Sequence, residues 1–349
     1  MIFFDCERLK HPNTGLYHYT LNLANALARE AKQRGETDLG FYVANNKAAL
    51  LDKNIPLKRV RPIDRVLLFD PRIQLWHSSS QLSHYQPLNG KKILTIHDLN
   101  YLYEDLTERE RSEARSRVEK NQRHCSAIIA ISEFVKRDIE SQFDTHGVPV
   151  EVIYNGCNHY SGPIESPIKK PDGAFLFAVG NVMAKKNFHV LPALLVGNDY
   201  RLVISGIIVS EDYRNKIIDE ARRYGVQDRV IITGPVSEPV KHWYLKNCAA
   251  FLHPSIAEGF GLPVVEAMHY GKPTFISDHT SLPEVGGREA FYFNHDFDAD
   301  AMRREFEAGM SAFNTGQITP ERLMARADQF SWEEAAKKHF DLYNRVLNR

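Results

Sequence analysis

Short apolar runs recur along the chain, separated by stretches in which apolar residues fall on one face of a helix. In the first half the runs are residues 2–6, 39–44, 73–77, 93–97, 127–131 and 150–154. In the second half they are residues 175–179, 201–205, 229–233, 249–253 and 273–277. Most are five or six residues long, rich in β-branched and aromatic side chains, and apolar on both faces. That pattern belongs to strands covered on both sides, as in parallel sheets.

The intervening stretches have helical spacing. Residues 14–34 place Leu16, Tyr19, Leu23, Ala26 and Leu27 on one face. Residues 108–124, 133–143, 212–224, 239–247, 263–270, 301–313 and 331–348 are read the same way. Thr107 with Glu110, and Ser331 with Glu334, predict capping boxes. Strand–helix alternation of this kind predicts an α/β, doubly wound fold.

The chain has 349 residues, more than one ordinary core needs, so two domains are expected. Residues 161–173 contain three prolines and two glycines and read as the linker. The expected domains are residues 1–165 and 166–330, with the terminal helix 331–349 free to pack back on the first. Lys+Arg and Asp+Glu both number 44, which argues against nucleic acid as a partner. The four cysteines are scattered without a Cys-x-x-Cys pair, as expected in a reducing cytosol. No signal peptide is evident, and no apolar run approaches the roughly 18 to 20 residues that span a bilayer. A cytoplasmic protein is expected.

Ligands bind open α/β sheets at the carboxyl ends of the strands, so the segments just after strands carry the candidate chemistry. After run 249–253 comes Glu258-Gly259-Phe260-Gly261-Leu262-Pro263, followed by Glu266. The glycines allow close backbone approach, and Pro263 suits a first helical turn. The helix start would present amide groups and its positive dipole end to a diphosphate. Glu266, expected in the first turn, suits a ribose diol, and Glu258 a sugar hydroxyl. After run 175–179 comes Gly180-Asn181-Val182-Met183-Ala184-Lys185-Lys186-Asn187. Two adjacent lysines are by default a solvated turn, but here they can neutralise a pyrophosphate.

This second half resembles glycosyltransferase family 4, whose signature has two glutamates separated by seven residues around Gly-Phe-Gly-Leu-Pro, as Glu258 and Glu266 are. Gly234-Pro235-Val236-Ser237 and Ser281-Leu282-Pro283-Glu284-Val285 extend the likeness. In the first half, Thr95-Ile96-His97-Asp98-Leu99, Ala130-Ile131-Ser132-Glu133 and Ile153-Tyr154-Asn155-Gly156 are similar to family motifs in the same order. Lys185 stands where the family commonly has arginine, which keeps the charge and loses the bidentate fork. Near the N-terminus, Asn13-Thr14-Gly15-Leu16-Tyr17 keeps one glycine of a turn that in relatives approaches the donor phosphates. Tyr17 stands where a second glycine is common.

The resemblance implies the GT-B fold, two Rossmann-like doubly wound domains facing each other across a cleft. It implies a retaining glycosyltransferase that needs no metal or other cofactor. The donor would be a nucleotide-diphosphate sugar, and the acceptor a saccharide or lipid-linked saccharide of surface polysaccharide synthesis. GDP-mannose and a UDP-sugar both fit as donor. His97 would face donor sugar and acceptor, with Asp98 fixing its tautomer or touching the acceptor. Gly15, Gly180, Lys185, Lys186, Val236, Glu258, Gly259, Phe260, Gly261, Leu262 and Glu266 would bind the donor.

The stretch 109–124 holds six Lys/Arg against three Glu, which leaves room for peripheral contact with the inner face of a membrane. Asp296-Phe297-Asp298 and Asp298-Ala299-Asp300 each have the spacing of a metal-binding Asp-x-Asp, but they directly precede a helical stretch, and N-capping accounts for them. The other histidines show no metal-ligand spacing. Two further classes stay open: an epimerase or phosphorylase on the same fold, and a non-catalytic nucleotide-sugar-binding partner. The oligomeric state is open too.

Overall fold

The computed structural model describes residues 1–12 and 14–348, so Asn13 of the first glycine-containing turn lies outside the described residues. The chain forms two compact units, Met1–Gly156 with Phe330–Arg349, and Cys157–Gln329. It crosses between them at Gly156/Cys157, nine residues before the boundary expected at 165/166. The segment just past Gly156 packs on the second unit: the Tyr160 ring stacks on His242 with centroids 3.7 Å apart.

The first unit holds seven parallel strands: β1 (Ile2–Asp5), β2 (Leu39–Val43), β3 (Leu57–Arg59), β4 (Leu75–Ser78), β5 (Lys91–Ile96), β6 (Ala127–Ala130) and β7 (Val150–Val152). Their order is β3-β2-β1-β4-β5-β6-β7. The helices are α1 (Gly15–Arg34), α2 (Glu108–Gln122), α3 (Glu133–Gln142) and the terminal helix Trp332–Leu347. β1 shows why the strands are apolar on both faces. Ile2 and Phe4 pack with Leu23 and Leu27 of α1, whereas Phe3 packs with Trp76 and Tyr85 on the other side. The terminal helix closes the α1 face. Arg29 and Arg34 pair with Glu333 and Asp341, each at 2.8 Å, and Tyr343 Oη lies 2.7 Å from Nδ1 of buried His77. Gly156 has no side chain because a Cβ there would lie 2.2 Å from the Trp332 nitrogen.

The second unit holds six parallel strands: β8 (Phe175–Val179), β9 (Arg201–Ser205), β10 (Val230–Gly234), β11 (Ala250–His253), β12 (Thr274–Ser277) and β13 (Phe291–Phe293), in the order β10-β9-β8-β11-β12-β13. Its helices are α4 (Glu211–Arg223), α5 (Glu238–Asn247), α6 (Leu262–His269), α7 (Leu282–Gly286), α8 (Ala299–Asn314) and α9 (Pro320–Ala327). Leu176 and Ala178 of β8 face a core shared with α4 and α8, and Phe177 stacks on Tyr244 of α5 with centroids 5.1 Å apart.

In both sheets the order reverses once, between β1 and β4 and between β8 and β11. Such a switch point leaves a crevice at the carboxyl ends of the two strands.

Two short strands, β3 and β13, are absent from the sequence reading. Each is a three-residue edge strand, and β3 is Leu-Lys-Arg with no buried residue. Thr107 and Glu110 form the full capping box. Ser331 caps the Glu334 amide, but the Glu334 carboxylate turns to Lys337 instead of closing the box. Asp298 caps α8 by accepting from the Ala301 amide at 2.8 Å.

Candidate functional site

The second unit's switch point brings together the two loops singled out by sequence. The loop after β8 turns through a short 3-10 segment, Ala184–Lys186, ended by Asn187 in the left-handed region at φ 56°. Its Lys185 carbonyl accepts from the Ile256 amide at 2.9 Å and the Ser255 hydroxyl at 3.0 Å, both from the loop after β11. The Lys186 ammonium makes a direct ion pair with Glu258 Oε1. His253, the last residue of β11, places Nε2 2.8 Å from that same oxygen.

Each side chain is held there by its element. His253 is completely buried and its ring stacks on Phe251. The Glu258 amide donates to Thr280 Oγ1 at 3.3 Å, and its carbonyl accepts from the Ser281 hydroxyl at 3.0 Å. The segment beginning Ser281-Leu282-Pro283 therefore clamps the Glu258 loop. Gly261 caps α6 at φ 99°, and a Cβ there would meet Leu282 Cδ2 at 2.7 Å, so this turn requires glycine. Gly259 and Phe260 are buried beside it, and Leu262 opens α6 half-buried. Gly180 lies at φ 151°, where a Cβ would press on the Lys186 stem at 3.3 Å.

Burial opposes the Glu258 charge, but the Lys186 ammonium and the His253 hydrogen bond outweigh it and hold the carboxyl well below the usual range. The carboxylate is therefore ionised at any working pH. Burial pulls the His253 imidazole below its ordinary value, with Glu258 offsetting part of the shift. Sequence reasoning missed His253. The available signal was a histidine at a strand's carboxyl end, five residues before the glutamate.

Glu266 departs from expectation. Because the Gly261 cap starts α6 at Leu262, Glu266 falls past the first helical turn, which contains no acid. Its carboxylate meets Lys241 of α5 at 2.9 Å, and Lys241 also pairs with Glu238 at 2.9 Å. Burial opposes the Lys241 charge, yet the two carboxylates raise its pKa. Val236 lies apart, in a cavity of about 590 Å³ along β10 lined also by Ile231, Thr233, Val240 and Tyr244.

In the first unit, His97 follows β5. It is buried, with Nε2 donating to the Ser79 carbonyl at 2.8 Å and its ring edge-on to Tyr19 at 4.4 Å. Burial lowers its pKa to about 4, so the imidazole is neutral at pH 7. Its tautomer is fixed by Ser79, so of the two roles expected of Asp98 the tautomer-fixing one falls to Ser79. The Asp98 carboxylate accepts from the Asn100 amide at 3.2 Å. Gln81 joins the two strand ends, accepting from the His97 amide and donating to the Asp98 carbonyl, both at 3.1 Å. Gly15 begins α1, where a Cβ would have open space within 4 Å, and Thr14 caps the helix through the Tyr17 amide.

Beside these loops lies a polar cavity of about 640 Å³ walled by Arg65, His84, Ser112, Ser116, Arg117 and Lys120. Asn121 ties α2 to its other wall by donating to the Gln81 and Ser83 carbonyls. Among the described residues no helix is long and apolar enough to cross a membrane.

Residues 14–159 match the family described as Glycosyltransferase Family 4, and residues 164–308 that described as Glycosyl transferases group 1. The O-antigen chain mannosyltransferase B of Escherichia coli is 24% identical over 98% of this chain and 99% of its own length. The O-antigen chain mannosyltransferase RfbU of Salmonella typhimurium is 28% identical over 61% of this chain and 59% of its own. Among solved structures, sucrose-phosphate synthase from Thermosynechococcus elongatus superposes with a TM-score of 0.75 at 16% identity, covering 99% of both chains. Anabaena HepE in complex with UDP and glucose superposes with a TM-score of 0.72 at 16% identity, also over 99% of both.

Proposed function

The chain belongs to glycosyltransferase family 4, group 1, with the GT-B fold, and from that premise we propose that it transfers a hexose from a nucleotide-diphosphate sugar to a saccharide acceptor in surface polysaccharide synthesis. The observation that carries this reading is the Lys186–Glu258–His253 constellation at the second unit's switch point. A cation there, next to the glycine-capped start of α6, suits a diphosphate. An ionised carboxylate in the same place suits a sugar hydroxyl.

Cleavage of the anomeric C–O bond leaves negative charge on the departing phosphate. Lys186, Lys185 and the α6 amides are the groups assigned to meet it, with Lys186 shared between Glu258 and the phosphate. The acceptor oxygen attacks the same face of the anomeric carbon, and its proton passes to a departing phosphate oxygen, which retains configuration.

Mannose is the favoured sugar, since similar proteins carry the name O-antigen mannosyltransferase. The cavity sets Arg65, Arg117 and Lys120 against the one carboxylate of Glu113, which suits an acceptor bearing a phosphate, as a lipid-linked saccharide does. A donor panel tests the proposal. GDP-mannose should raise the melting temperature and be consumed only when acceptor is present. Conversion of a donor without acceptor to an isomeric nucleotide sugar would point to an epimerase instead.

A further inference from the structure

We propose that His159, His269 and Asp328 form a binding site for a divalent cation of the zinc class, which fastens both ends of the second unit to α6. The donor atoms of these three residues lie within 4.8 Å of one another. His269 is the last residue of α6. His159 lies two residues past the entry into the second unit at Cys157, and Asp328 lies next to its exit at Gln329. The site is thus contained in one unit but gathers both points at which the chain enters and leaves it.

The hydrogen bonds around His269 favour a cation. Its Nε2 lies 3.2 Å from the Cys157 carbonyl, which can only accept, so Nε2 carries the proton. Nδ1 then presents a lone pair. It faces Asp328 Oδ1 at 3.6 Å, too far for a hydrogen bond, and has no hydrogen-bond partner among the described residues. Two acceptors therefore face each other, Asp328 Oδ1 already accepting from His159 Nε2 and His269 Nδ1 without a partner among the described residues, in a setting where the His269 side chain is 5% exposed. A proton on Nδ1 would relieve this only by placing a charged imidazolium out of water. A metal ion relieves it by taking both lone pairs.

The separation fits. Ligand bonds of about 2.0 to 2.2 Å from zinc to imidazole nitrogen and carboxylate oxygen, at near-tetrahedral angles, put the two donor atoms roughly 3.3 to 3.6 Å apart. His159 Nε2 supplies the third donor: it now donates to the same Asp328 oxygen at 2.8 Å, closer than two ligands of one zinc sit, so zinc would replace this hydrogen bond and part the two atoms, and its ring lies 3.9 Å from that of His269. Metal-bound histidines characteristically donate their other nitrogen to a carbonyl, as His269 does to Cys157. Two imidazoles and one carboxylate select zinc and its neighbours over magnesium or calcium. The exposed His159 and Asp328 side chains leave a fourth position open to water.

A second cluster of Glu238, His242 and Glu266 offers similar donors, but the Lys241 ammonium already bridges its two carboxylates at 2.9 Å. It serves as the control.

The test uses the full chain, stripped with chelator and titrated first with cobalt(II) as a spectroscopic probe and then with zinc. One equivalent of cobalt should give the visible absorption of a low-coordinate nitrogen–oxygen site, and zinc should displace it. His159→Ala and Asp328→Asn alter exposed side chains and should each weaken zinc binding at least tenfold. Each should also abolish the rise in melting temperature that zinc gives the unaltered chain. Glu238→Gln should bind zinc as the unaltered chain does. Failure of the unaltered chain to bind an equivalent, unchanged affinity in either ligand variant, or loss of binding in Glu238→Gln would each overturn the proposal. The readouts need neither donor nor acceptor, so they stand apart from the proposed transfer reaction.

Discussion

His253 Nε2 lies 2.8 Å from Glu258 Oε1, and Lys186 reaches the same oxygen from the loop after the neighbouring strand. A fully buried imidazole and a cation thus converge on one carboxylate where the sheet order reverses between β8 and β11. The pair makes the loop after β11 a fixed part of the site, held from beneath by the strand end itself.

His253→Phe keeps the ring stacked over Phe251 and removes only the hydrogen-bond donor. A hydrogen bond to a charged group contributes about 1.5–3 kcal/mol. The variant should lose stability on that scale in urea unfolding. An unchanged midpoint and slope would mean that Lys186 alone holds Glu258.

Glu258→Gln preserves shape but removes the charge that occupies Lys186. Turnover with donor and acceptor should fall by about 10²-fold, the scale seen when one preorganised polar group is removed from a site. Affinity for the bare nucleoside diphosphate should not fall, because Lys186 is released toward the phosphates. A parallel collapse of nucleotide affinity, measured by calorimetry, would place Glu258 on the nucleotide instead of the sugar.

Stability should depend on pH through the buried histidines. His97 and His339 are each shifted down to about 4 by burial, whereas their ordinary value is 6.5. Between these values the unfolded chain binds protons that the folded chain refuses, so stability is complete above pH 6.5 and falls as pH drops toward 4. Each group contributes about 1.4 kcal/mol per pH unit in that window. Melting curves should show the fall, and His339→Gln should make it shallower. The same slope in the variant would remove His339 from this account.

Transfer should proceed in the presence of excess chelator. Asp298 is spent on the α8 cap, and in the proposed reading the phosphate charge falls to Lys185, Lys186 and helix amides. Loss of transfer that manganese restores would contradict this.

Much of the fold was legible because parallel strands buried on both faces leave apolar runs, unbroken in Phe175–Val179 and filling the middle of Arg201–Ser205. β3 was not, because an exposed edge strand such as Leu-Lys-Arg needs no such run, and β13 was passed over although its Phe-Tyr-Phe is a three-residue apolar run. In the site, Lys186 and Glu258 were legible from position after strands and from motif. His253 was hidden as one more strand residue, and the Glu266–Lys241 pair depends on α5 packing beside α6, which no local spacing encodes. The start of α6 was misplaced by one residue because Pro263 is a plausible first position. The left-handed Gly261 in fact sets the cap one residue earlier, with Leu262 opening the helix. His159, His269 and Asp328 come from three distant segments, so spacing rules for metal ligands passed over them.

The most direct measurement is calorimetric titration of GDP and UDP into the unaltered chain and Lys186→Ala. The account predicts that the preferred nucleotide loses about 1.5–3 kcal/mol of binding free energy in the variant, the scale of a hydrogen bond to a charged group. Equal affinity in both proteins would contradict the claim that the turn after β8 and the start of α6 hold the donor diphosphate.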